Sequence, residues 1–142
     1  MAEPPTTYQV RAQCRPGGVA HVQAGDQTVP IDTAWGVEPS GAPGPAELLA
    51  AAFASCLMKN IERTSTLIGF TYTSADVRVQ ARRQDSPPQF VEVEYDVRIV
   101  TDEPERRVDL LHRNLRQFGT VYNTLAAVCD VHGTVAAATA EA

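Results

Sequence analysis

Three cysteines and three histidines are the chain's candidate nucleophiles and metal ligands. Cys56 alone has chemistry-bearing neighbours at helical spacing. Lys59 at i+3, Asn60 at i+4 and Arg63 at i+7 share its face. A thiol attacks as its thiolate, and nearby cations favour that form. The helix dipole cannot supply the effect, because Cys56 lies about three turns beyond a helix start at Pro45 and the dipole fades within the first turn. The competing reading is a small core hydrophobe, the commonest fate of a free cysteine. From the pattern alone, packing is the stronger reading.

Cys14, Cys56 and Cys129 form no CxxC pair and no metal-ligand spacing with His21, His112 or His132, so neither a metal site nor a cofactor is expected. His132 follows Cys129 by three residues in an alternating segment, which puts the two on opposite faces of a strand. His112, beside Leu111, is expected to be half exposed. Trp35 and Tyr72 are candidates to line a pocket near Cys56, although aromatics more often pack in a core.

The elements that must position these residues follow from composition and periodicity. A length of 142 residues with 44% apolar and 20% charged side chains fits one globular domain over 1–142. The net charge of -5 argues against nucleic-acid binding. Arg82-Arg83 and Arg106-Arg107 sit among acidic neighbours and read as solvated surface. The N-terminus lacks a basic stretch followed by an apolar run, so a secretory signal is not expected. The apolar run Leu48 to Leu57 is too short to span a membrane. A cytoplasmic location and free thiols are the expectation.

Tyr8 to Cys14, Val19 to Gln23 and Thr28 to Asp32 alternate or are apolar, and turn residues at 15–18 and 24–27 separate them. Together they predict an antiparallel meander. Residues 35–45 carry three prolines and three glycines and predict a loop. Pro45 suits a helix's first turn and Gly69 its end. The first half of that helix is small or apolar all round, which predicts burial on every side. Ser74 to Arg83 and Phe90 to Val100 predict a hairpin. A second helix follows, with Asp102 as N-cap and Glu105 completing a capping box. Its apolar stripe is Val108, Leu111, Leu115 and Phe118, and Gly119 ends it. A short helical turn over Val121 to Ala127 and a strand over Val128 to Val135 complete the chain, with both termini (1–5 and 136–142) expected to fray. Runs of strands separated by single helices predict an α+β fold.

The run Pro43-Gly44-Pro45-Ala46-Glu47-Leu48-Leu49-Ala50-Ala51-Ala52-Phe53-Ala54-Ser55-Cys56 resembles the cysteine-helix motif of the OsmC/Ohr family (osmotically inducible protein C, organic hydroperoxide resistance). The order of elements agrees from about Tyr8 to Val135. The resemblance implies antiparallel sheets around a long central helix, an intertwined homodimer, and Cys56 near the subunit interface. For the family's thiol peroxidases it implies attack of the thiolate on an organic hydroperoxide, giving a sulfenic acid that a second cysteine captures. It also implies an arginine from the meander and a glutamate at the helix start. Arg15 is the nearest arginine here, with Arg11 second, and Glu47 is the nearest glutamate.

The chain departs from that pattern. Gly119 stands where the second cysteine belongs, so the usual intramolecular disulfide cannot form. Cys14 and Cys129 are possible substitutes, but both read more readily as core residues. Ala46 occupies the best-matching glutamate position, and a shift of one residue to Glu47 is about 100° of helix rotation. Glu47 has an equally good plain role, an acid facing the dipole in the first turn. Phe53 matches the motif as a packing residue. The first functional reading is a one-cysteine peroxidase for organic hydroperoxides, with an external thiol as reductant. The alternative is a non-catalytic protein of this fold that binds or senses a small molecule. A structural dimer with an inert cysteine ranks last.

Overall fold

Period-two patterning at the start of the chain gives three short strands in the computed structural model, which describes residues 6–139. These are β1 (Arg11–Arg15), β2 (Val19–Ala24) and β3 (Gln27–Asp32), an antiparallel sheet in the order β1-β2-β3. The expected first strand begins three residues late: Tyr8 is 88% exposed and outside it. The described residues fall into two compact units, one ending at Leu48 and the other starting at Leu49. In the first, Ile31 is the one buried side chain among the described residues. Asp32 organises the loop that follows. Its carboxylate accepts from the backbone N–H groups of Ala34 (3.1 Å) and Ser40 (3.2 Å), and its own N–H donates to the Pro43 carbonyl (3.0 Å).

The long helix α1 runs Pro45–Ile68, starting at the expected proline and stopping at Gly69 (φ 67°). Within the single chain the helix is buried on one side rather than all round. Phe53, Leu57, Asn60, Ile61 and Thr64 are buried, whereas Ala51, Ala52, Ser55 and Met58 are exposed. The bulky apolar residues recur at i, i+4 and i+8 and so take the core face. The small ones, which bury little area, are left on the other.

The second sheet has the order β4-β5-β6, with β4 (Ser74–Asp85), β5 (Pro88–Val100) and β6 (Asp130–Ala138). The hairpin strands run closer to their turn than expected, pairing Asp85 with Pro88, with a register shift between Arg82 and Arg83. β6 pairs with β5 in parallel, so this sheet is mixed rather than wholly antiparallel. A parallel pair needs a crossover, which α2 (Glu105–Phe118) and α3 (Thr120–Ala126) supply. β6 also covers Ala136 to Ala138, expected to fray; the first five residues and 140–142 lie outside the described residues. Gly133 lies opposite Tyr95, and a β-carbon there would overlap the Tyr95 carbonyl and ring. Glycine is required for space at that point, not for backbone conformation.

The expected capping box is also corrected. The residue preceding α2 is Pro104, and no side chain caps the helix. The Pro104 carbonyl accepts from the N–H groups of Arg107 and Val108 instead. Glu103 holds Arg107 at 2.7 Å, and Arg107 donates to the carbonyls of Ile68 (3.0 Å) and Gly69 (3.2 Å). An arginine of α2 thus satisfies carbonyls left open at the end of α1.

The core of the second unit joins Phe53, Leu57 and Ile61 of α1 to alternate residues of β5 (Val93, Tyr95, Val97, Ile99). Val108, Leu111 and Leu115 of α2 and Tyr122 and Leu125 of α3 close it. Each such side chain stabilises the fold by about 1.5–3 kcal/mol on burial. Phe118, expected in the same stripe, is 46% exposed and lies outside this cluster. Among the described residues, no helix is long and apolar enough to cross a membrane.

Candidate functional site

Cys56 lies mid-way along α1, partly buried and a free thiol. Its helix is fixed by the apolar residues on either side of it, Phe53 and Leu57, which are 0% and 1% exposed. Asn60, one turn on, is buried, and its side-chain amide donates to the Cys56 carbonyl at 3.0 Å and lies 3.7 Å from Sγ. The i+4 neighbour picked out by spacing is thus in contact with the sulfur.

Gly119 faces the thiol from the junction of α2 and α3. A β-carbon on Gly119 would lie 3.2 Å from Cys56 Sγ, 2.9 Å from Tyr122 Cβ and 3.0 Å from the Leu115 carbonyl oxygen. Its backbone is extended (φ -77°, ψ 118°), a conformation open to any residue. The glycine is there for closeness. Position 119 thus abuts Cys56 and, as glycine, brings no side chain.

Beside this contact is an open cavity of about 610 Å³, within the usual range for a small-molecule site. Lys59, Asn60, Arg63 and Leu67 of α1 line it with Phe118 and Thr120, the residues flanking Gly119. The Arg63 guanidinium carbon sits 4.6 Å from the Phe118 ring centroid, a cation–π contact. Lys59 and Arg63, expected on the Cys56 face, are thus brought to one cavity, while Phe118 and Thr120 had no sequence signal as cavity walls.

An aromatic group packs behind the site. Phe53 lies against Tyr95 and Tyr122, with ring centroids 5.8 and 5.6 Å away. The Tyr95 hydroxyl is 2.6 Å from His112 Nε2 and 3.2 Å from the Tyr122 hydroxyl. Burial and the Tyr122 contact push Tyr95 well above the usual tyrosine range. Burial, then the nearby Arg116 charge, lowers the His112 pKa, so its neutral ring suits the role of acceptor from Tyr95. His112 is half-buried as expected, but its bond to Tyr95 had no sequence signal.

Arg15 ends β1 and Arg11 begins it, both exposed; Arg15 lines a separate cavity of the first unit with Cys14 and His21. Glu47 is exposed in the first turn of α1, and its carboxylate lies 3.4 Å from a β-carbon built on Gly44. Arg15 and Glu47 belong to the first unit and Cys56 to the second. Cys14 is exposed rather than core. Cys129 is partly buried, precedes β6 rather than lying on it, and donates to the Phe90 carbonyl at 3.3 Å. Trp35 is 97% exposed. Tyr72 donates to Glu62 at 2.7 Å, which raises its pKa.

A second polar group, missed in the sequence, lies on the β5–β6 surface. His132 Nε2 is 3.0 Å from Glu92 Oε2 and 4.0 Å from Asp130 Oδ2, and Arg82 donates to Glu92 Oε1 at 3.2 Å. The His132 contact first, then Arg82, lowers Glu92, and Glu92 raises His132. One imidazole and two carboxylates can ligate a divalent metal. Here Asp130 and His132 are exposed and Arg82 already holds one Glu92 oxygen.

The family and the fold both have known counterparts. The model of the OsmC family, described as OsmC-like protein, matches residues 38–132. No curated protein matches the chain in sequence. Among solved structures, an OsmC-like protein of Mycoplasma pneumoniae superposes with a TM-score of 0.82 at 14% identity, covering 93% of this chain and 97% of that one. An organic hydroperoxide resistance protein OsmC of Legionella pneumophila gives 0.72 at 19% identity, over 93% and 99%. The organic hydroperoxide resistance protein OhrB of Bacillus subtilis gives 0.66 at 17% identity, over 90% and 98%. At these identities the likeness is one of fold.

Proposed function

The chain belongs to the OsmC-like protein family, and on that premise we propose that it is a thiol peroxidase that reduces organic hydroperoxides through the single cysteine Cys56. The observation that carries this reading is the setting of Cys56: a partly exposed free thiol on α1, with the Asn60 amide 3.7 Å from Sγ. The Cys56 thiolate attacks the peroxide O–O bond. The sulfur takes one oxygen as sulfenic acid, and the other leaves as the alcohol after gaining a proton. Arg15 and Glu47 are assigned to the site by family analogy alone. An external thiol completes the cycle in two steps. The first displaces water from the sulfenic acid to give a mixed disulfide, and a second thiol releases Cys56 and leaves as the oxidised disulfide. The cytoplasm is the compartment that would keep such a thiol reduced.

We place this chemistry in a homodimer. The first unit has a single buried side chain among its described residues and exposes Val10, Val19, Trp35 and Val37 at 62%, 63%, 97% and 71%. The small residues of α1 are open as well. A second copy would cover such apolar surface.

The test is to treat the reduced protein with a slight excess of cumene hydroperoxide, then hydrogen peroxide, and map each cysteine by peptide mass. Rapid oxidation of Cys56 alone, faster with the organic peroxide, is expected. A Cys56 that reacts no faster than Cys14 and Cys129 would sink the catalytic reading. One observation favours a second reading, a protein of this fold that binds or senses a small molecule: Gly119 provides no sulfur to resolve a sulfenic acid. The same experiment separates the two.

A further inference from the structure

The cavity beside Cys56 carries more positive charge than its own residues neutralise. Among the described residues, neither Lys59 nor Arg63 has a carboxylate oxygen within ion-pair distance. Glu62, the one acid lining the cavity, accepts the Tyr72 hydroxyl at 2.7 Å. The Arg63 guanidinium carbon lies 4.6 Å from the Phe118 ring centroid, and no carboxylate among the described residues takes its N–H groups, which are donors suited to a planar anion. The apolar wall is Leu67 and Phe118. Cys56 is not itself a wall of the cavity, but Asn60, which is, lies 3.7 Å from its sulfur.

We propose that this cavity is the docking site of the external reductant, and that the reductant is a small thiol bearing a carboxylate. The inference rests on the peroxidase reading for its place in the cycle, but not for the binding itself. With no side chain at 119, the attacking sulfur must come from a diffusible molecule, and Lys59 and Arg63 would hold its anionic end while its thiol reaches Cys56. The balanced step is Cys56–SOH plus R–SH giving Cys56–S–S–R and water. A second R–SH then gives the free Cys56 thiol and RSSR.

The test uses the full chain with Cys14→Ser and Cys129→Ser, so that only Cys56 reports. Cys56 is first oxidised to the sulfenic acid, then reduced by 3-mercaptopropionate (anionic), 2-mercaptoethanol (neutral) or cysteamine (cationic), with rates normalised to thiolate concentration. The anion is expected to win by about tenfold at low salt, with a rate that saturates as its concentration rises. Lys59→Gln with Arg63→Gln should abolish that preference. Both side chains are exposed, and the melting temperature checks that the variants fold. A second assay needs no peroxide: reduced Cys56 is reacted with dianionic 5,5′-dithiobis(2-nitrobenzoate) and with neutral 4,4′-dithiodipyridine. A charge preference here that depends on Lys59 and Arg63 upholds the docking site even if Cys56 is inert to peroxides. Equal normalised rates in both assays, or a preference that survives the double variant, overturn it. They do so whether or not cumene hydroperoxide oxidises Cys56.

Discussion

The β-carbon position of Gly119 lies 3.2 Å from the sulfur of Cys56, although 63 positions separate them in sequence. Across a disulfide, the Cβ of one cysteine and the sulfur of the other are about 3 Å apart. Gly119→Cys should therefore form a disulfide with Cys56 on mild oxidation, seen by mass spectrometry and lost with dithiothreitol. The same β-carbon would crowd Tyr122 Cβ at 2.9 Å. The reduced variant should thus be less stable than the parent by about 1–3 kcal/mol, and oxidation should restore about 2–4 kcal/mol. If no intramolecular disulfide appears, the approach of α1 to the α2–α3 junction is wrong.

Asn60 presents an amide donor to the Cys56 sulfur at 3.7 Å. Asn60→Asp puts a negative charge where that donor stood and should disfavour the thiolate. Alkylation of Cys56 by iodoacetamide, followed in a Cys14→Ser, Cys129→Ser background at neutral pH, should slow by about tenfold or more. That factor corresponds to about 1.4 kcal/mol. Asn60→Ala, which removes the donor without adding charge, should have a smaller effect. Equal rates in Asn60→Asp and the parent would show that the amide does not face the reacting sulfur.

Features set by local backbone chemistry were legible in the sequence. Pro45 and Gly69 bound α1 because one lacks an N–H and the other accepts φ 67°. The Cys56, Lys59, Asn60 and Arg63 face follows from helical periodicity alone. Features set by distant contacts were not. Arg107, not Asp102, proved to be the residue tying a helix terminus, because its partners Ile68 and Gly69 are far along the chain. Gly119 reads as a helix stop, and only its packing against Cys56 and Tyr122 shows that a β-carbon there would be crowded. The parallel pairing of β6 with β5, and the Glu92–His132 contact it creates, depend on a crossover that no local pattern encodes. The open face of α1 has a similar cause: composition says that a residue is small, not whether anything covers it.

The two described histidines with shifted pKa values should titrate on opposite sides of 6.5. His132 is raised, chiefly by its bond to Glu92, so its stabilisation is full below 6.5 and is lost as pH rises through its folded value. Glu92 is lowered, so its contribution is present above 4.5 and is lost as pH falls through its own folded value. The pair therefore supports the fold most between those two limits. His112 has the reverse sign. Burial favours its neutral ring, so the fold weakens as pH falls from 6.5 through its folded value. Ring-proton NMR titration should place His132 above His112, and His132→Gln should remove the higher titration without moving the lower. The opposite order would contradict the His112–Tyr95 packing.

Ala51, Ser55 and Met58 fall at i, i+4 and i+7 on an exposed face of α1, with Met58 50% exposed. Small side chains at this spacing let a second backbone approach closely, and an interface there would leave little room for a long charged residue. The parent should sediment as a dimer. Ala51→Arg forces a guanidinium into that contact, and an unpaired buried charge costs several kcal/mol. The dimer dissociation constant should rise by about a hundredfold or more. The second unit keeps its own core of Phe53, Leu57, Tyr95 and Leu115 in the variant, so far-UV circular dichroism should still report helix. A parent protein that sediments as a monomer at all concentrations would remove the dimer from the proposal. Dimerisation unaffected by Ala51→Arg would move the interface away from this face of α1.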